Sequence, residues 1–105
     1  MKTLRATELA SWLGKPDAPI VLDVREPWEV ATASLPGSLC IPMQSVPARV
    51  GELPDDRPIV CLCHHGMRSA QVAMFLERQG HTEVYNLVGG IDAWSREVDA
   101  SVPTY

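Results

Sequence analysis

The sequence predicts an α/β domain, with helices packed on a mostly parallel central sheet. Two observations carry this. Pro19-Ile20-Val21-Leu22-Asp23-Val24 and Pro58-Ile59-Val60-Cys61-Leu62-Cys63 are short, nearly continuous apolar runs. Such runs suit strands covered on both faces, as parallel strands are. The segments between and after them alternate between helical and extended patterns, with Gly and Pro as punctuation. The 105 residues fit one compact domain spanning the whole chain.

The elements follow in order. Thr7 before Leu9, Ala10, Trp12 and Leu13 reads as the cap of a short helix that ends at Gly14. The first strand is the run 19–24. Glu26 to Thr32 suits a short helix with Pro27 in its first turn. Ser38-Leu39-Cys40-Ile41 reads as a strand stopped by Pro42, and Gln44 to Val50 as a weaker helix interrupted by Pro47. The run 58–63 leads through His64-His65-Gly66 into a helix from about Arg68 to Gln79. Val72, Ala73 and Leu76 form its apolar face, and Gly80 stops it. Glu83 to Leu87 is the last strand, and Gly89-Gly90 turns into a helix holding Ile91, Ala93 and Trp94.

Composition narrows the function. Hydrophobic residues make up 46% and charged residues 21%. Net charge is −4 and the pI is near 5.2, which argues against general nucleic-acid binding. No segment is apolar for long enough to span a bilayer. The N-terminus has no apolar stretch behind its charges, so a cytoplasmic location is expected. Three cysteines, two of them at positions 61 and 63, suggest free thiols rather than a disulfide framework.

In parallel sheets the ligand site lies beyond the carboxyl ends of the strands. Those ends are Asp23-Val24-Arg25 and Cys63-His64-His65. Cys63 ends an apolar strand and precedes a helix, where loop N–H groups and the helix N-terminus form an anion cradle. That setting, with Arg68 five positions on as a nearby cation, favours thiolate. Gly66 lets the loop curl. Ser69 can cap or orient within the first helical turn. Cys63 therefore reads as a nucleophile acting on a small anion.

The other marked residues read more plainly. Cys61, Cys63, His64 and His65 lack a second ligand pair apart from His81, so no metal is expected. His64 and His65 are expected at the pocket mouth. Cys61 and Cys40 read as core cysteines, and Trp12 and Trp94 as core aromatics. Trp28 suits a partly exposed position. Asp23 interrupts an apolar strand, and a buried acid needs a partner.

The ordered motifs resemble the rhodanese family over about Thr7 to Tyr105. Asp23-Val24-Arg25-Glu26, with Glu29 beyond it, is similar to one family signature. Ala33-Ser34-Leu35-Pro36-Gly37-Ser38 with Ile41-Pro42 is similar to a second, with Ser34 where the family has histidine. Cys63-His64-His65-Gly66-Met67-Arg68-Ser69 fits the active loop, and Leu87-Val88-Gly89-Gly90-Ile91-Asp92-Ala93-Trp94 the closing pattern. The resemblance implies a three-layer α/β/α rhodanese-like domain with a mostly parallel central sheet of about five strands, and a cofactor-free thiosulfate sulfurtransferase. Cys63 would take a sulfane sulfur from thiosulfate or a persulfide donor and pass it to cyanide, a thiol or a protein cysteine. His64, His65, Gly66, Met67, Arg68 and Ser69 would bind the substrate, with Arg68 on the donor's oxyanion. Asp23 and Arg25 would brace the loop. Related phosphatases place five residues between cysteine and arginine; here there are four, which implies a smaller pocket. A persulfide carrier with little turnover on thiosulfate is the alternative, and a non-catalytic docking domain a third reading that Cys63 argues against.

Overall fold

The computed structural model describes residues 1–105. Strands β1 (Lys2–Leu4), β2 (Ile20–Asp23), β3 (Leu39–Cys40), β4 (Ile59–Leu62) and β5 (Val84–Leu87) form one sheet in the order β1-β5-β4-β2-β3. Every pairing is parallel. The helices are α1 (Ala6–Leu13), α2 (Pro27–Thr32), α3 (Val46–Arg49), α4 (Met67–Arg78) and α5 (Gly90–Glu97). None is long and apolar enough to cross a membrane.

Strand alternation builds two cores. Val21, Val60 and Leu62 join Leu9 of α1 with Ile91 and Trp94 of α5. Leu22, Ile59, Cys61 and Cys63 join Val46 of α3 with Val72 and Leu76 of α4. This is why β2 and β4 lack polar alternation: both faces are covered.

Four expectations change. Strand β1 was not expected, because only Leu4 of its three residues is buried and it pairs at a sheet edge through its backbone. Helix α1 begins after Arg5 rather than being capped by Thr7; Glu8 reaches back to accept from the Arg5 backbone N–H at 2.9 Å. Pro47 does not interrupt a helix. It lies in the first turn of α3, where its missing N–H has no partner to lose, and 3₁₀ turns Met43–Ser45 and Val50–Glu52 flank it. Cys40 is exposed, not core, because β3 is a two-residue strand at the other edge.

Candidate active site

Strand β4 ends at Leu62, and Cys63 begins the loop into α4. Gly66 takes φ +108°, which turns its N–H back toward the sulfur. That N–H donates to Cys63 Sγ at 3.0 Å, and Ser69 Oγ lies 3.2 Å from it. Ser69 makes no cap; it is the third residue of α4 and its hydroxyl faces the sulfur. The loop is also tied to α5. The carbonyls of Cys63 and His64 accept from the N–H groups of Ile91 and Asp92 at 2.9 and 3.2 Å. Cys63 is only 1% exposed, so its sulfur admits small or slender groups. It lines an open pocket of about 200 Å³ with His64, His65, Met67 and Arg68.

Arg68 is not an unpaired cation. Its Nη1 and Nη2 donate to the two carboxylate oxygens of Glu29 at 2.6 and 2.9 Å. Glu29 also accepts from the Tyr105 hydroxyl at 2.8 Å. Arg25 lies behind, fully buried with Asp23. Its guanidinium donates to both oxygens of Asp23, to the Glu29 and Ala33 carbonyls and to the Tyr105 hydroxyl. A continuous polar path thus runs from the end of β2 to the first turn of α4, beside the cysteine loop.

The hydrogen bonds from Arg68 hold the Glu29 carboxyl down at about 2, against the opposing pull of burial. A carboxyl so depressed stabilises the fold only while ionised. Its contribution is complete above the ordinary value of 4.5 and fades as pH falls through about 2. Arg68 is a third exposed, so solvent screening limits the contribution to roughly 1–2 kcal/mol. Glu29→Gln should therefore be less stable than the parent at neutral pH, with the gap closing on the acid limb. Denaturant midpoints measured across that limb check this; a gap independent of pH would contradict it.

Aromatic rings surround the opening. His64 is stacked between His65 and Tyr105, with ring centroids 3.9 Å away on both sides. Trp28 meets Tyr105 edge-on at 6.0 Å. Trp28 is 64% and Met67 80% exposed. His64 Nε2 is buried and has no hydrogen-bond partner. The fold also brings Asp92 of α5 to the two histidines, with ligand atoms of all three within 4.8 Å of one another. Asp92 is already paired with Arg96 at 2.9 Å. These three are the residues able to hold a cation.

Cys61 is buried in the core, and burial pushes its thiol up to about 12, so it stays protonated. Three residues at the site were not expected. Asn86 carried a usable signal, a polar residue inside the apolar strand β5, which is the same kind of signal that marked Asp23. Gly90 stands in the sequence as a turn and as part of the closing pattern, with no sign that it packs against the cysteine loop. Tyr105 had no sequence signal, since its place depends on how the last residues pack back over α2.

A family model described as a rhodanese-like domain matches residues 5–97. The chain belongs to the rhodanese-like family. It is 43% identical to a sulfurtransferase of Allochromatium vinosum, over 73% of this chain and 72% of that protein. It is 31% identical to the thiosulfate sulfurtransferase GlpE of Stutzerimonas stutzeri, over 79% of this chain and 76% of that one. A rhodanese-like/PpiC domain-containing protein of Arabidopsis thaliana matches the whole chain at 40% identity, but the chain spans only 38% of its length. Among solved structures, a rhodanese-like domain protein from Staphylococcus aureus superposes with a TM-score of 0.86 at 31% identity, over 93% of this chain and 95% of that one. This rhodanese-like domain is therefore a relative of sulfurtransferases, and its five-stranded parallel sheet is the one its resemblance implied.

Proposed function

We propose that this rhodanese-like domain is a sulfurtransferase in which Cys63 carries sulfur as a persulfide. One observation supports this most. Cys63 Sγ sits at the end of β4 facing two donors, the Gly66 N–H and the Ser69 hydroxyl. Such donors stabilise a sulfur anion in a site that is largely closed to water.

The reaction has two displacements. The Cys63 thiolate attacks the outer sulfur of thiosulfate, a new S–S bond forms, and sulfite leaves with the electron pair. An acceptor then attacks the outer sulfur of the persulfide and Cys63 leaves as thiolate. Cyanide gives thiocyanate; a thiolate gives a new persulfide. No cofactor or metal is required. His64, His65 and Met67 would line the entry and Arg68 would meet the donor's oxyanion. Asp23 and Arg25 would brace the loop through Glu29 and Tyr105. One domain, residues 1–105, would suffice, working in the cytoplasm.

The Arg68–Glu29 pair favours a second reading. An arginine already neutralised by a carboxylate attracts a dianion such as thiosulfate weakly. A persulfide donor, whose reacting end carries at most one negative charge, suits this pocket better, and the exposed Trp28 and Met67 beside it suit a protein partner. The domain would then be a persulfide carrier. Thiocyanate formation should be compared with thiosulfate and with glutathione persulfide as donors. Efficient turnover on thiosulfate supports the enzyme; turnover confined to the persulfide supports the carrier. No thiocyanate with either donor would overturn the proposal.

A further inference from the structure

The two residues whose N–H and hydroxyl face Cys63 Sγ, Gly66 and Ser69, are both bonded by a single side chain from a different strand. Asn86 projects from β5, is 6% exposed, and its side chain makes two hydrogen bonds. Its Nδ2 donates to the Gly66 carbonyl at 3.0 Å. Its Oδ1 accepts a short hydrogen bond from the Ser69 hydroxyl. Gly66 and Ser69 are the two residues that face the sulfur.

Ser69 has one hydroxyl proton and two acceptors within reach, Asn86 Oδ1 and Cys63 Sγ. It cannot donate to both. We infer that Asn86 is a positioning residue which competes with the sulfur for the Ser69 proton and so sets how readily Cys63 becomes a nucleophile. In the thiol state the S–H donates to Ser69 Oγ and the hydroxyl donates to Asn86. In the thiolate state the hydroxyl turns to the sulfur and Asn86 Oδ1 loses its partner. In the loaded state the charge moves to the outer sulfur, the inner one becomes neutral, and the hydroxyl returns to Asn86. The same side chain thereby opposes the bare thiolate and suits the persulfide, while its Nδ2 stays bonded to the Gly66 carbonyl throughout.

This rests on Cys63 being the reactive sulfur, and the test is chosen so that it does not depend on sulfur transfer. The reading is the rate of Cys63 alkylation by iodoacetamide as a function of pH. The other titratable or charged groups around the sulfur are His64, His65 and Arg68 at the pocket, Asp92, Glu29 and Tyr105 against them, and Cys61 on β4; all stay unchanged across the variants.

Asn86→Leu removes the competing acceptor, so alkylation at neutral pH should quicken by roughly 3- to 10-fold and the midpoint should move down, the effect of one charge-assisted hydrogen bond. Asn86→Asp keeps a stronger acceptor on Ser69 and adds negative charge, so alkylation should slow by a similar factor. In a Ser69→Ala background the Asn86→Leu gain should vanish. A purely structural role would make both substitutions slow the reaction in either background. That result, or an Asn86→Leu gain that survives Ser69→Ala, would overturn the inference. If Asn86→Leu does not fold, the parent protein still decides. Its Asn86 side-chain amide resonance should titrate together with Cys63, and should cease to do so in Ser69→Ala; an unmoved resonance in the parent would refute the competition.

Discussion

Asp23→Ala is expected to lower stability by about 3–5 kcal/mol, the range for breaking a buried ion pair. Asp23 and Arg25 are both fully buried, with Arg25 Nη2 2.7 Å from the carboxylate. Removing the acid leaves a guanidinium that cannot lose its proton and cannot reach water. The loss compares with a total of about 5–15 kcal/mol for a domain of this kind. At about 4 °C per kcal/mol, the melting temperature should fall by ~12–20 °C. Asp23→Asn keeps an acceptor for Arg25 and should cost less. The double variant Asp23→Leu/Arg25→Met should recover only part of the loss, because the Glu29 and Ala33 carbonyls then lose their donor. Thermal and denaturant unfolding of the three variants checks this. An Asp23→Ala cost within about 0.5 kcal/mol, as for a surface change, would contradict the account.

Gly90→Ala is expected to damage the site as much as the fold. Gly90 has φ +59°, and an added Cβ would collide with the main-chain oxygens of Cys63 and His64. Those same carbonyls accept the N–H groups of Ile91 and Asp92, so neither the loop nor α5 can move without losing both bonds. Stability should fall by about 3 kcal/mol or more, combining backbone strain with the clash. If the loop yields rather than the helix, a displacement of about 1 Å at Cys63 should cost roughly 100-fold in transfer rate. Gly80→Ala is the control: Gly80 also has a positive φ of +102°, but nothing lies within 4 Å of its added Cβ. It should cost about 1 kcal/mol and leave transfer untouched. Equal effects of the two substitutions would show that close packing at Gly90 does not matter.

The fold was legible where burial shaped the residues. Strands β2 and β4 are apolar on both faces, so their sequences state their place at the sheet centre. Strand β1 was not legible, because an edge strand needs only backbone partners and its Lys2 and Thr3 are exposed. Cys40 looked like Cys61 in sequence; only the sheet order separates an edge from a centre. At the site, the cysteine loop and Asp23 were readable from local pattern. Arg68 was readable as a residue but not as a pair, since Glu29 meets it across 39 positions of chain. Tyr105 and Asn86 come from still other elements, and nothing near them in sequence names their partners.

Cys63 is expected to store sulfur as a persulfide. Intact mass of the reduced protein, taken after incubation with thiosulfate and separately with glutathione persulfide and followed by peptide mapping, tests it most directly. The expected result is a gain of one sulfur atom, located on the peptide containing Cys63, lost on adding a thiol acceptor and absent from Cys63→Ser. No gain with either donor, or a gain that persists in Cys63→Ser on Cys40 or Cys61, would contradict it.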